Sequence, residues 1–303
     1  MEYFHSVRLD REKCKGCVNC IKKCPVEAIR VRHGKAEIIE ERCIDCGECI
    51  RACPNHAKYA ERDSLQDLAQ FSYTVALTAP SLYGQFRDNV SPARILAAVK
   101  ALGFDDVYEL ALAAEVGSKA VQAYFRENKR VRPLISSACP AVLRLIQVRF
   151  PALVDHIIPL ASPMQVMATF VRKIKQKETG LPRERIGIFF LSPCPAKVTA
   201  VKSPVTGLPM EVDRVLAVAD VYGDILQNLR QEQPCLTRAG RLGIAWGASG
   251  GEQAAAGIEN SLSVDGIHNV IGVLEEIELG RLGDIDFIEA KACPGGCVGG
   301  ILN

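Results

Sequence analysis

Eight cysteines in two copies of one spacing constrain this chain more than any other feature. Cys14-x2-Cys17-x2-Cys20-x3-Cys24-Pro25 recurs as Cys43-x2-Cys46-x2-Cys49-x3-Cys53-Pro54. In such a run three closely spaced thiolates wrap one cubane and the fourth cysteine ligates the other cluster. The expected ligand sets are therefore Cys14, Cys17, Cys20 and Cys53 for cluster one, and Cys43, Cys46, Cys49 and Cys24 for cluster two. A zinc site needs only four ligands and usually separates its pairs more widely. Pseudo-symmetric wiring of this kind predicts a short helix after each run, at Val26 to Ile29 and again beyond Pro54. Lys13, Lys15, Lys22 and Lys23 offer positive charge that raises the potential of cluster one or attracts an acidic donor, or simply forms a solvated face.

Eight of the 13 cysteines fall in the first 60 residues of a 303-residue chain. That break, followed by a polar stretch at Glu61 to Asp67, predicts a two-cluster 4Fe-4S ferredoxin domain over 1–64 and a second domain over 65–303. The second domain alternates strand-like and helix-like stretches. Strands are expected at Tyr73 to Thr78, Asp106 to Leu110, Arg132 to Ser136, Ile186 to Leu191, Gly243 to Trp246 and Asp286 to Ala290. Helices are expected at Ala93 to Leu102, Ala113 to Glu127, Pro163 to Gln176 and Val212 to Arg230. The pattern implies α/β architecture with mostly parallel sheet.

Composition excludes several classes. With 48% hydrophobic and 24% charged residues the chain reads as globular. No apolar run spans a bilayer and no secretory signal opens the chain, so the expectation is a cytoplasmic protein without membrane partners. A net charge of +2 and the lack of a basic patch interleaved with aromatics give no support to nucleic acid binding. Thirteen cysteines in a reducing compartment point to metal rather than disulfides.

Four further cysteines stand in special settings: Ser136-Ser137-Ala138-Cys139-Pro140, Leu191-Ser192-Pro193-Cys194-Pro195-Ala196-Lys197, and Ala292-Cys293-Pro294-Gly295-Gly296-Cys297-Val298-Gly299-Gly300. Cys139, Cys194 and Cys293 each follow an expected strand end, where open α/β folds bind ligands. Four thiolates there can hold one more cubane, and the glycines around Cys297 let main chain approach an inorganic group closely. Cys235 fits no motif. Trp246-Gly247-Ala248-Ser249-Gly250-Gly251 reads as a glycine-rich turn after a strand, and its spacing does not fit a dinucleotide fingerprint.

Across residues 73 to 303 the chain resembles the iron-iron hydrogenases. That family marks its active site with Thr-Ser-Cys-Cys-Pro, Met-Pro-Cys-x2-Lys-x2-Glu and Glu-x-Met-x-Cys-x2-Gly-Cys-x2-Gly-Gly, which the three segments match in order and spacing. The resemblance implies a two-lobed α/β domain after the ferredoxin module. It implies that Cys139, Cys194, Cys293 and Cys297 bind the cubane of the H-cluster. Cys297 would bridge it to a diiron azadithiolate subsite with carbonyl and cyanide ligands. It pairs Lys197 with one cyanide and Ala79-Pro80-Ser81 with the other. The implied chemistry is reversible heterolysis of dihydrogen, with three 4Fe-4S clusters carrying electrons to a redox partner protein. Maturation proteins would install the diiron group.

The resemblance is incomplete. Family members place a proton-passing cysteine just before the first cluster ligand, where this chain has Ala138. Their paired relay glutamates align with Ala120 and Val121. Ser192, Ala200, Val142 and Lys291 replace a methionine, a glutamate, a tryptophan and the methionine near the bridging carbonyl. A positioned acid-base group typically contributes ~100- to 10,000-fold, so slow turnover is expected. This pattern resembles the branch to which a sensing role is ascribed, where signalling domains or partner proteins read the site. Relatives continue further past the last cluster cysteine than the six residues present here, so a C-terminally shortened form is expected. The alternatives are a cubane-only relative acting in iron-sulfur protein assembly, and a redox module that docks another enzyme.

Overall fold

The computed structural model describes residues 3–128, 131–204, 210–230 and 237–303. Cys235 therefore lies outside the described residues. The cysteine-rich segment contains β1 (Val7–Leu9), α1 (Asn19–Lys22), β2 (Ile29–Arg32), β3 (Lys35–Ile38), α2 (Glu48–Arg51) and β4 (Lys58–Ala60). β1 pairs antiparallel with β4, and β2 with β3. The short helices precede the prolines rather than follow them. Pro25 and Pro54 have no N–H to extend a helix, and Ile29 is already in a strand.

The remainder runs β5 (Tyr73–Thr78), α3 (Pro92–Lys100), β6 (Asp106–Glu109), α4 (Leu110–Glu127), β7 (Leu134–Ile135), α5 (Pro140–Arg149), α6 (Pro163–Thr179), β8 (Ile186–Ser192), α7 (Pro195–Lys202), β9 (Arg214–Ala217), α8 (Val218–Asn228), α9 (Arg241–Ala245), α10 (Gly251–Ala256), β10 (Ser261–Asp265), α11 (Ile267–Glu278) and β11 (Phe287–Lys291). Two parallel sheets result, a four-stranded one in the order β6-β5-β8-β9 and a three-stranded one in the order β10-β11-β7. The fold is thus α/β with two parallel-sheet lobes behind a ferredoxin-like module. No helix of the described residues is long and apolar enough to cross a membrane.

Strand composition explains the layering. Every residue of β8 is buried, as a central parallel strand covered on both faces requires. Phe190 enters the core shared with α6, while Phe189 enters the opposite core with α3 and α8. The second lobe packs Ile135 and Ile288 against α5 and α11.

Two expected elements changed type. Within Val212 to Arg230 the segment Arg214–Ala217 is a strand registered on β8, because a short buried run carries no period to distinguish strand from helix. Gly243 to Trp246 belongs to α9 and the residue after it. A Cβ at Gly243 would lie 2.3 Å from the Ala111 carbonyl oxygen, so the glycine permits close packing of α9 on α4.

The N-terminal segment is bonded to the strand-end face of the first lobe. Ser6 N donates to Thr199 Oγ1 at 3.1 Å and Ser6 Oγ to the Pro195 carbonyl at 2.8 Å, both on α7. Arg51 donates to the Gly299 carbonyl at 2.7 Å. At Gly47, whose φ is +83°, a Cβ would stand 2.7 Å from Ile301 Cγ2, so the loop carrying Cys46 meets the C-terminal segment almost backbone to side chain.

Candidate functional site

Three sites emerge, and the first two follow from the repeat. One cavity is lined by Cys14, Cys17, Cys20 and Cys53, another by Cys24, Cys43, Cys46 and Cys49. These are the quartets that the run spacing calls for. The loops reach this shape through left-handed residues at Gly16, Val18 and Glu27, repeated at Asp45, Gly47 and His56. The amides of Ala28 and Ala57 donate to the Cys24 and Cys53 sulfurs at 3.2 and 3.3 Å. Lys13, Lys15, Lys22 and Lys23 are all exposed, and Lys13 pairs with Asp10 at 3.2 Å. Charges so solvated are screened and bear little on the cluster.

The third site lies between the lobes, at the C-terminal ends of β7, β8 and β11. Cys139 caps α5 and Cys194 caps α7, with a proline in the first helical position of each. The Cys-Pro pairs are therefore helix starts, and they set two thiols at positive dipole ends. Cys293 follows β11 by two residues, and Cys297 opens a single turn ending at Gly299. Burial first, and then the charge of the neighbouring thiols, pushes up Cys139, Cys194 and Cys293, Cys194 to about 12. Four crowded thiols of this kind suit a metal cluster, which lets them ionise together.

Glycines bring the surrounding backbones into contact. A Cβ at Gly247 would lie 2.7 Å from Ser81 N, and one at Gly296 2.7 Å from Ser249 N. Ala79, Pro80 and Ser81 thereby meet the Cys297 loop, and Gln85 bonds the Val298 carbonyl at 3.1 Å. The Ser81 hydroxyl is buried with no hydrogen-bond partner among the described residues. Lys197, one turn into α7, donates to the Ala138 carbonyl at 3.3 Å. Burial pulls its pKa down, but the charges of Cys297, Cys194, Cys139 and Cys293 outweigh this and hold it above the usual value.

The altered signature positions have local partners. The Ser192 hydroxyl closes a turn on Cys194, and Val142 is fully buried core. Lys291 is buried, 2.6 Å from Glu289, and donates to the Trp246 and Ala248 carbonyls at 2.8 Å each. Glu289 accepts from Gly250 N and Gln253 N at 3.1 and 2.7 Å. This pair fixes the glycine-rich segment, which follows a helix and not a strand.

Sequence reasoning missed Glu252. Its Oε1 accepts from Ser136 Oγ at 2.7 Å, while Oε2 is buried without a partner among the described residues. Burial, more than any neighbour, pushes its carboxyl up to about 7. It lines a cavity of about 230 Å3 together with Ala120, Val121, Ser137, Ala138 and Ser162. The available signal was one acidic residue in the run Gly250-Gly251-Glu252-Gln253-Ala254-Ala255-Ala256.

Residues 72–234 and 245–301 match the family model of the iron only hydrogenase large subunit, C-terminal domain. The chain belongs to this family. Residues 6–54 match a 4Fe-4S dicluster domain, so family and module both indicate iron-sulfur cofactors. The chain is 23% identical to the NADP-reducing hydrogenase subunit HndD of Solidesulfovibrio fructosivorans, covering 95% of this chain and 55% of that protein. It is 22% identical to iron hydrogenase 1 of Clostridium pasteurianum, over 68% of this chain and 44% of that protein. The chain thus spans about half the length of the curated relatives it matches. A shorter match, 33% identical over 21% of this chain and 11% of that protein, is to the cytosolic Fe-S cluster assembly factor nar1 of Emericella nidulans. A structure of the [FeFe]-hydrogenase HydA1 from Chlamydomonas reinhardtii shares the fold, at TM-score 0.61 and 14% identity over 79% of this chain and 83% of that chain.

Proposed function

We propose that the chain carries three 4Fe-4S clusters and a diiron subsite, interconverts dihydrogen with protons and electrons slowly, and serves as a hydrogen sensor. The observation that carries this reading is the fully buried Ser81 hydroxyl beside the Cys297 loop, unpaired among the described residues, with the Lys197 ammonium at the same cradle. An anionic cubane accounts for a buried cation but not for a second buried donor left unpaired, whereas small anionic ligands take up both. The residues present fit the diiron group.

Cys139, Cys194, Cys293 and Cys297 would hold the cubane, Cys297 would also reach the diiron group, and Lys197 and Ser81 would hold its anionic ligands. When bound, that group supplies heterolysis of dihydrogen. The protein's own part is binding and proton handling. Lys197 is tied to the Ala138 carbonyl, which sets the direction of its ammonium. Lys291 is committed to Glu289 and two carbonyls, so it pins backbone and carries no proton onward.

Ala138 has no titratable atom. From Glu252 the hydrogen-bonded chain passes through Ser136 Oγ and ends at the Ala138 backbone N–H, 3.1 Å away. An amide N–H does not release a proton at neutral pH, so that chain is a dead end. The cavity beside Glu252 is roomy enough for water, the remaining carrier between its carboxyl and the cradle. Transfer through loosely held water is slower than through a fixed thiol, which fits a signal-generating site better than a fast catalyst.

The test is to mature the protein with a synthetic diiron precursor and expose it to hydrogen. Slow bleaching of the cubane absorption is expected. Absorption that stays constant under hydrogen in matured protein would sink the proposal and favour the cubane-only reading suggested by the short nar1 match.

A further inference from the structure

The N-terminal module is one unit written twice, and its copies differ at a buried position that faces a cluster cavity. Left-handed backbone recurs at residues 16 and 45, 18 and 47, and 27 and 56, always 29 residues apart. The same offset pairs Ile29, first residue of β2, with Lys58, first residue of β4. Both are buried, at 2% and 3% exposure. Ile29 lines the cavity of Cys24, Cys43, Cys46 and Cys49, and Lys58 lines that of Cys14, Cys17, Cys20 and Cys53.

Lys58 Nζ has no hydrogen-bond partner among the described residues, and no ion pair is formed by it there. An ammonium ion left alone in such a place is strongly disfavoured, so an anion must face it. A cubane held by four thiolates is anionic and gains a further negative charge on reduction. The twin cavity has a carboxyl group and no buried lysine in its lining. The buried Asp45 carboxylate lies 4.0 Å from Cys43 Sγ, held there by Val7 N at 3.0 Å and His5 Nδ1 at 2.8 Å.

Net charge and burial set the potential of such clusters. We propose that Lys58 is a tuning residue that raises the reduction potential of the Cys14/Cys17/Cys20/Cys53 cluster above that of its twin, so that the electron rests on the outer cluster. The twin is the inner one, since the Cys46 loop abuts Pro195 and Ile301 while Cys17 is exposed. The gradient runs outward from the third cradle, toward a partner at the surface. The proposal rests on iron-sulfur occupancy alone and stands independently of the hydrogen reading.

The test uses the full chain with its cubanes reconstituted, titrated potentiometrically and followed by EPR. Lys58→Met keeps the length and apolar stem of the side chain and removes the charge. It is expected to lower the midpoint of the highest-potential couple by roughly tenfold in its reduction equilibrium, about 59 mV for one electron. The twin couple, whose Cys49 also lies in the field of Lys58, should fall by less, and iron content should not change. Lys58→Arg should stay near wild type. An unmoved midpoint in Lys58→Met, an equal fall in Lys58→Arg, or loss of one cubane from Lys58→Met would each overturn the assignment.

Discussion

The two cysteine-rich regions of this protein build metal sites by opposite routes. The N-terminal module completes both cavities between Cys14 and Cys53, with loops whose left-handed residues repeat at a fixed offset. The C-terminal cradle collects four cysteines from three segments between Cys139 and Cys297, and it exists only when the strand ends of two sheets meet. The first is a local device and the second a tertiary one. Exposure differs only at the rim: Cys17 is exposed, whereas burial pushes up Cys20, Cys43, Cys46 and Cys49 of the module just as it does Cys139, Cys194 and Cys293 of the cradle. A local site can load wherever its loops form, whereas a tertiary one depends on lobe packing and can be lost without touching the other.

The largest expected effect tests that independence. Cys194→Ala should remove the third cubane and abolish hydrogen turnover, while the EPR signals of the N-terminal pair persist. Loss of all three signals would break the comparison. Next in size is Lys197→Met, which leaves all twelve cluster cysteines in place. It should keep three cubanes but depress diiron incorporation, read as infrared band intensity, by on the order of tenfold or more, since removing one partner of a buried pair leaves the other uncompensated.

Glu252→Gln should lower turnover by ~10- to 100-fold, at the low end of what a positioned acid-base group contributes. Its pH behaviour has a definite sign. The folded-state pKa, about 7, lies above the ordinary value of 4.5. Glu252 therefore adds its full share of stability below about 4.5 and loses it as pH rises through about 7. Proton donation by Glu252 falls over the same upper range, so the alkaline limb of the wild-type pH profile should flatten in Glu252→Gln. An unchanged limb would remove Glu252 from proton handling. The smallest effect is Ala138→Cys, expected to raise turnover only a few-fold, because Ala120 and Val121 still line the outer cavity. Full recovery to fast turnover would show that the outer path never mattered.

The same contrast explains what was legible in the amino-acid sequence. Cluster quartets were readable because their ligands sit within one local spacing, and Cys-Pro pairs were readable as strand-end features because proline both ends a strand and starts a helix. The parallel sheets followed from runs such as β8. Features that depend on distant partners were not readable. Arg214–Ala217 became a strand only through its register on β8, and Gly243 a helical residue only through contact with Ala111. Nothing in the run around Glu252 says that one carboxylate oxygen meets Ser136 and the other meets no partner among the described residues. Lys58 was likewise passed over in favour of four exposed lysines, because burial of its stem is decided by the fold of the repeat.

The central claim is that the tertiary cradle holds a diiron group as well as a cubane. The most direct measurement is an infrared spectrum with a metal count on protein matured with a synthetic diiron precursor. Carbonyl and cyanide bands, with iron for three cubanes and one diiron group, are expected. A full complement of cubane iron with no such bands would contradict the claim.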